Sequence, residues 1–153
     1  MQFVIAVGGS EGEGFFRRVV EVAAVEQAEA VTLAHVIDTG PRHDMEAGRE
    51  RLFARHMGVA REVDLTRAEE DRANAVLQYA RRALVMAGVP DGKLREVVLR
   101  GKPNEELRRL AEDERAAIVV GGRDGKPGPH SLGKTARFLV DHAPIVAILV
   151  RET

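Results

Sequence analysis

Residues 121 to 135 read GGRDGKPGPHSLGKT, and no other stretch of the chain has residue types and spacing so well suited to chemistry. Five glycines let main-chain N–H groups approach an anion closely, and a helix starting from such a turn adds partial positive charge. Arg123, Lys126 and Lys134 contribute full charges to the same loop. Only four of the 23 basic residues are lysines, and two of those four fall here, which favours an anionic ligand. The competing reading is a flexible surface connection with solvated charges, because glycine suits any tight turn.

Such a loop needs elements to hold it. Five short apolar runs rich in Val and Ile recur along the chain: Phe3 to Val7, Val31 to Ile37, Glu96 to Leu99, Ala117 to Val120 and Ile145 to Val150. Their near-continuous apolar character predicts strands covered on both faces, as in a parallel sheet flanked by helices. Phe15, Val19, Val22 and Ala23 follow helical spacing, as do Ala73, Val76, Leu77, Ala80 and Leu84, with Gly88 and Pro90 closing that second helix. Pro103 opens a third, in which Leu107, Leu110 and Ala111 share a face. Ser10 reads as the cap of the first helix.

This alternation predicts right-handed crossovers and an open, doubly wound sheet that binds ligands at the carboxyl ends of its strands, near the switch in strand order. The loop at 121–135 falls at such an end, and so does the turn Gly8 to Gly14. Residues 38 to 65 fit no strand. Met45, Leu52, Phe53 and Met57 line one side of an amphipathic helix there, as a lid, a partner surface or a variable connection.

Composition narrows the function classes. A chain of 153 residues fits one domain. Its formal net charge of −1 mixes both signs, and with only six aromatic residues it predicts neither a basic field nor a stacking platform for nucleic acid. The absence of cysteine removes disulfides, thiolate nucleophiles and cysteine-ligated zinc. No run of 18 apolar residues occurs and no signal-peptide core opens the chain, so the expectation is a cytoplasmic protein without a membrane span.

Two nucleotide signatures fail on context. Gly128 to Thr135, GPHSLGKT, formally matches the phosphate-loop pattern GxxxxGK[ST], but about seven residues separate its first glycine from the preceding apolar run and only one strand follows. The turn GGSEGEG, residues 8 to 14, has dehydrogenase-like spacing with Asp38 as a candidate ribose ligand. However, Glu11 and Glu13 repel a pyrophosphate there, and Tyr79 has Ala83 where a catalytic lysine is needed. The five histidines form no metal motif; His35 reads as a core or edge residue, His142 as a helix C-terminal residue, and His130 alone lies in the glycine loop. Ser10 and Ser131 are the only serines, and neither sits in a nucleophile elbow.

Several landmarks, taken in order, resemble the universal stress protein family. They are Val7-Gly8-Gly9-Ser10, then Leu33 to Asp38, Gly101-Lys102-Pro103 followed by Glu105-Glu106-Leu107, Ile118 to Gly122, the glycine loop, and His142-Ala143-Pro144 before the last apolar run. The resemblance covers the whole chain. It implies a single three-layer α/β/α, Rossmann-like domain over residues 1–153, with five mainly parallel strands in the order 3-2-1-4-5. It also implies binding of ATP or a related adenine nucleotide, with Val36 offering backbone groups to the adenine and Gly122, Gly125, Gly133 and Lys134 around the phosphates. Gly8 and Gly121 border that site, and Arg123, Lys126 and Thr135 are further candidate ligands.

The chain departs from the family's pattern in three places. The loop between Gly125 and Gly133 is two residues short, Lys134 stands where the pattern has Ser or Thr, and Gly8 replaces an aspartate usual at the end of the first strand. The implied function is a cytoplasmic sensor or regulator that dimerises through the last strand, 145–150, with catalysis at most slow hydrolysis and the part of Mg²⁺ left open. The alternative is a member of the same fold that has lost nucleotide binding and works as a dimeric interaction module.

Overall fold

The first strand, β1 (Gln2–Ala6), lies at the centre of the sheet because its run has no polar face: Phe3, Val4 and Ile5 are all buried. The computed structural model describes residues 1–40, 58–122, 132–142 and 146–152, with side chains omitted for 58–65. In parallel with β1 run β2 (Ala30–Asp38), in register Gln2↔Ala30 to Ala6↔Ala34, and β4 (Ala117–Gly121), in register Phe3↔Ala117 to Ile5↔Val119. The edges are β3 (Leu94–Gly101) and β5 (Ala147–Val150), giving the all-parallel order β3-β2-β1-β4-β5 that the resemblance implied.

Alternation along β1 divides the core between two layers. Phe3 and Ile5 pack with Phe15, Phe16 and Val19 of helix α1 (Glu13–Ala23) and with Leu77 and Leu84 of α2 (Gly58–Met86). Val4 faces the other way, toward Leu107 and Ala111 of α3 (Pro103–Glu114) and Ala136 and Leu139 of α4 (Gly133–His142). Pro103 opens α3 as expected, and Gly88, at φ +110°, follows the end of α2.

Three expectations need correction. β3 extends beyond Glu96 to Leu99 in both directions, because an edge strand tolerates outward Arg95, Glu96 and Arg100 without losing its pairing to β2. Residues 58–65, read as part of a variable segment, are the opening turns of α2; the rest of that segment after residue 40 lies outside the described residues. Ser10 does not cap α1: the N-cap is Gly12, with no side-chain hydrogen bond, and Ser10 is exposed. No helix among the described residues is long and apolar enough to cross a membrane.

Candidate functional site

β1 continues to β2 on one side and pairs with β4 on the other, so the chain leaves the sheet in opposite directions at its centre. That reversal opens a crevice beyond the carboxyl ends of the strands. Here it is a cleft of about 680 Å³ bordered by residues from β1, β2 and β4 and by the start of α4. The volume lies within the range of small-molecule sites.

Of the site residues expected from sequence, Gly8, Val36, Gly121, Gly122, Gly133, Lys134 and Thr135 all line this cleft. Arg123, Gly125 and Lys126 lie outside the described residues, as does His130. The glycines serve different purposes. A Cβ at Gly121 would stand 3.4 Å from the Phe15 ring, and one at Gly122 would stand 3.4 Å from Cγ of Arg151, both ordinary van der Waals contacts. The N–H of Gly122 donates to the Val150 carbonyl at 3.1 Å, extending the β4–β5 ladder. The Gly122 amide is therefore not turned toward a ligand.

The start of α4 provides the donors instead. The first N–H groups of a helix have no intrahelical acceptors, and here they belong to Gly133, Lys134 and Thr135 at the mouth of the cleft. Gly133 adopts φ +70°, a left-handed conformation that glycine takes without strain. Lys134 is exposed beside it.

On the opposite wall, Ala34 accepts a hydrogen bond from Val7 N–H at 2.8 Å, so its main-chain groups face β1. The two-residue period of a strand directs Val36 the same way, past the point where β1 has ended, and its N–H and C=O face the cleft rather than another strand. His35 Nδ1 lies 2.7 Å from the Val7 carbonyl oxygen. A carbonyl only accepts, so Nδ1 is the donor in this contact.

Sequence reasoning gave no part in the site to the polar residues that complete this wall. His35, Arg151, Glu11 and Glu152 all border the cleft. Glu11 folds back so that its carboxylate accepts from Gly8 N–H, at 2.9 Å to Oε1 and 3.1 Å to Oε2, and from Gly9 N–H, at 2.9 Å to Oε2. Glu152 rests on the glycines at the start of α1: a Cβ at Gly12 would come within 2.6 Å of its Oε1. Its negative charge thus lies against a helix N-terminus that has no side-chain cap. The GGSEGEG turn carried the signal for both contacts, since its bare glycines leave room for carboxylates to approach. Among the described residues, no group of three or more His, Cys, Asp or Glu side chains could hold a metal ion.

Known proteins with this architecture share more than the sheet order. A universal stress protein of Methanocaldococcus jannaschii is 29% identical over 108 residues, 65% of this chain; the match spans 62% of that relative's length. The structure of the universal stress protein from Archaeoglobus fulgidus in complex with dAMP superposes with a TM-score of 0.64 at 19% identity, covering 98% of this chain and 97% of the other. A universal stress protein in complex with cAMP gives 0.63 at 18% identity, covering 100% and 98%. The model of the universal stress protein family matches residues 1–151, and the chain belongs to that family.

Proposed function

We propose that this protein is a regulator or sensor that binds ATP or a related adenine nucleotide in the cleft beyond β1, β2 and β4. The observation that carries the reading is the convergence of the α4 N-terminus, Lys134 and the outward main chain of Val36 on one cavity of nucleotide size. Two structurally similar relatives were solved with dAMP and with cAMP, which supports an adenine nucleotide as the ligand class. In this reading the base lies against Val36, as a backbone edge offers one donor and one acceptor side by side. The phosphates lie at Gly133, Lys134 and Thr135, where helix N–H groups and an ammonium meet them.

The protein works as a homodimer in the cytoplasm. β5 is an edge strand, and Val146 just before it is 42% exposed, so a second copy placed there covers both the unpaired edge and that apolar side chain. Light scattering at high micromolar concentration is expected to give the mass of a dimer, and a monomer would remove this part of the reading.

Thermal unfolding tests the ligand. ATP at ten times its Kd stabilises the folded state by about 1.4 kcal/mol, a rise in Tm of about 3–5 °C for a domain of this size. Lys134→Ala is expected to reduce that rise at the same ATP concentration. A Tm that ignores millimolar ATP, together with purified protein that releases no nucleotide in acid, supports the second reading, a dimeric interaction module. What favours that second reading is the presence of two carboxylates, Glu11 and Glu152, on the cleft wall.

A further inference from the structure

Glu11 occupies the place where strand order reverses. Its stem passes beside the end of β4, with Cγ 3.8 Å from where a Gly121 Cβ would stand, and its carboxylate sits over the end of β1 on the Gly8 and Gly9 amides. Those two amides, at the foot of the crevice, would otherwise attract any phosphate entering the cleft. Glu11 already fills them with a negative charge.

The carboxylate is not fully engaged. It offers about four lone-pair directions, and its contacts with Gly8 and Gly9 use three, two on Oε2 and one on Oε1. Among the described residues nothing takes the remaining acceptor direction on Oε1, which belongs to a half-buried group at the cleft wall. An anion cannot approach it, whereas a hydroxyl can donate to it. The carboxylate is held in place before any ligand arrives, so little ordering accompanies that bond.

We propose that Glu11 is the specificity-determining residue of the cleft, taking one sugar hydroxyl of the nucleotide and turning phosphates away from the Gly8 and Gly9 amides. This rests on the nucleotide reading above and deepens it by assigning the sugar its contact. The sheet order places Val36 on β2 first, Glu11 over β1 next, and Lys134 and Arg151 on the β5 side last. A nucleoside phosphate has the same order of parts: base, sugar, phosphates. The reversed orientation sets phosphate against the Glu11 carboxylate and leaves the cations facing an uncharged base.

Calorimetric titration of the full chain with three probes tests this: ATP, 2′,3′-dideoxy-ATP and inorganic triphosphate. Wild-type protein is expected to bind ATP about tenfold tighter than dideoxy-ATP, the effect of one hydrogen bond to a charged acceptor. Glu11→Gln is expected to weaken ATP to the dideoxy level, to leave dideoxy-ATP unchanged and to bind triphosphate no more weakly than wild type. Equal wild-type affinities for ATP and dideoxy-ATP overturn the proposal without recourse to any variant. A folded Glu11→Gln variant that binds ATP as tightly as wild type, or more tightly, overturns it as well and makes Glu11 a bystander or a plug. Failure of folded wild-type protein to bind ATP at all is a distinct result that removes the nucleotide reading and this proposal with it.

Discussion

His35 Nδ1 lies 2.7 Å from the carbonyl oxygen of Val7, tying the second strand to the residue just past the end of the first, at the lip of the cleft. Substituting His35→Ala leaves that carbonyl without its side-chain donor. Because the site is half-buried and water can replace part of the bond, the expected loss is about 1 kcal/mol, read as a lower urea midpoint with an unchanged slope. An unchanged midpoint would show that the contact carries no stability.

Thr32 is the buried polar residue of β2, 1% exposed, and its hydroxyl donates to Glu114 Oε2 at 2.9 Å. Glu114 ends α3 and also lies 3.7 Å from Arg95 on β3, so one carboxylate links a helix to two neighbouring strands. Thr32→Val removes the donor while keeping the shape, and the expected cost is about 1–2 kcal/mol. Combined with Glu114→Leu, the two losses should fall short of additivity by about 1 kcal/mol. Additive losses in a double-mutant cycle would mean that the two residues act independently.

Arg81 fastens α2 to the start of β3. Its guanidinium reaches Asp91 Oδ1 at 2.7 Å, Glu96 Oε1 at 2.9 Å and the Leu94 carbonyl at 3.1 Å. The hydrogen bonds it donates to Glu96 and then Asp91 raise its pKa above the ordinary arginine value. A raised pKa stabilises the fold at every pH below the unfolded-state value and loses effect only above it, so the Arg81 contribution is constant across the neutral range. Arg81→Lys is expected to lose about 1 kcal/mol or more despite keeping the charge, since an ammonium cannot span the three acceptors. A lysine variant with wild-type stability at pH 7 would contradict this.

Arg115, just after α3, holds a left-handed conformation at φ +51° and is exposed. An L side chain pays about 1–2 kcal/mol there, partly offset when glycine brings extra freedom to the unfolded chain. Arg115→Gly should therefore stabilise the protein by up to about 1 kcal/mol, measured by its Tm. Destabilisation would show that the arginine side chain contributes more than its backbone costs.

Much of this architecture was legible in the residues because burial on both faces leaves a continuous apolar signature, as in Phe3-Val4-Ile5 and Ala117 to Val120. The ends of β3 were not, since half its residues face solvent and charge there resembles a loop. Gly133, Lys134 and Thr135 could be placed because the glycine loop reads as leading from a strand into a helix and the family resemblance sets Gly133 and Lys134 around the phosphates. What spacing could not show was direction. The Gly122 amide faces Val150, not the cleft, and Glu11 and Glu152 fold back onto glycine turns that would otherwise read as open phosphate cradles. The Glu152 contact joins residues more than a hundred apart in the chain, and the Glu11 contact, though local, depends on how the turn folds rather than on residue spacing.

The N–H groups that open α4 are what nucleotide binding at this cleft depends on most. Titrating ATP into isotope-labelled protein and following backbone amide resonances addresses them directly. Saturable shifts concentrated at Gly133, Lys134 and Thr135, and strongly reduced in Lys134→Ala, are the predicted result. Resonances at these three positions that stay fixed up to millimolar ATP, in a protein whose spectrum is otherwise that of the folded state, would contradict it.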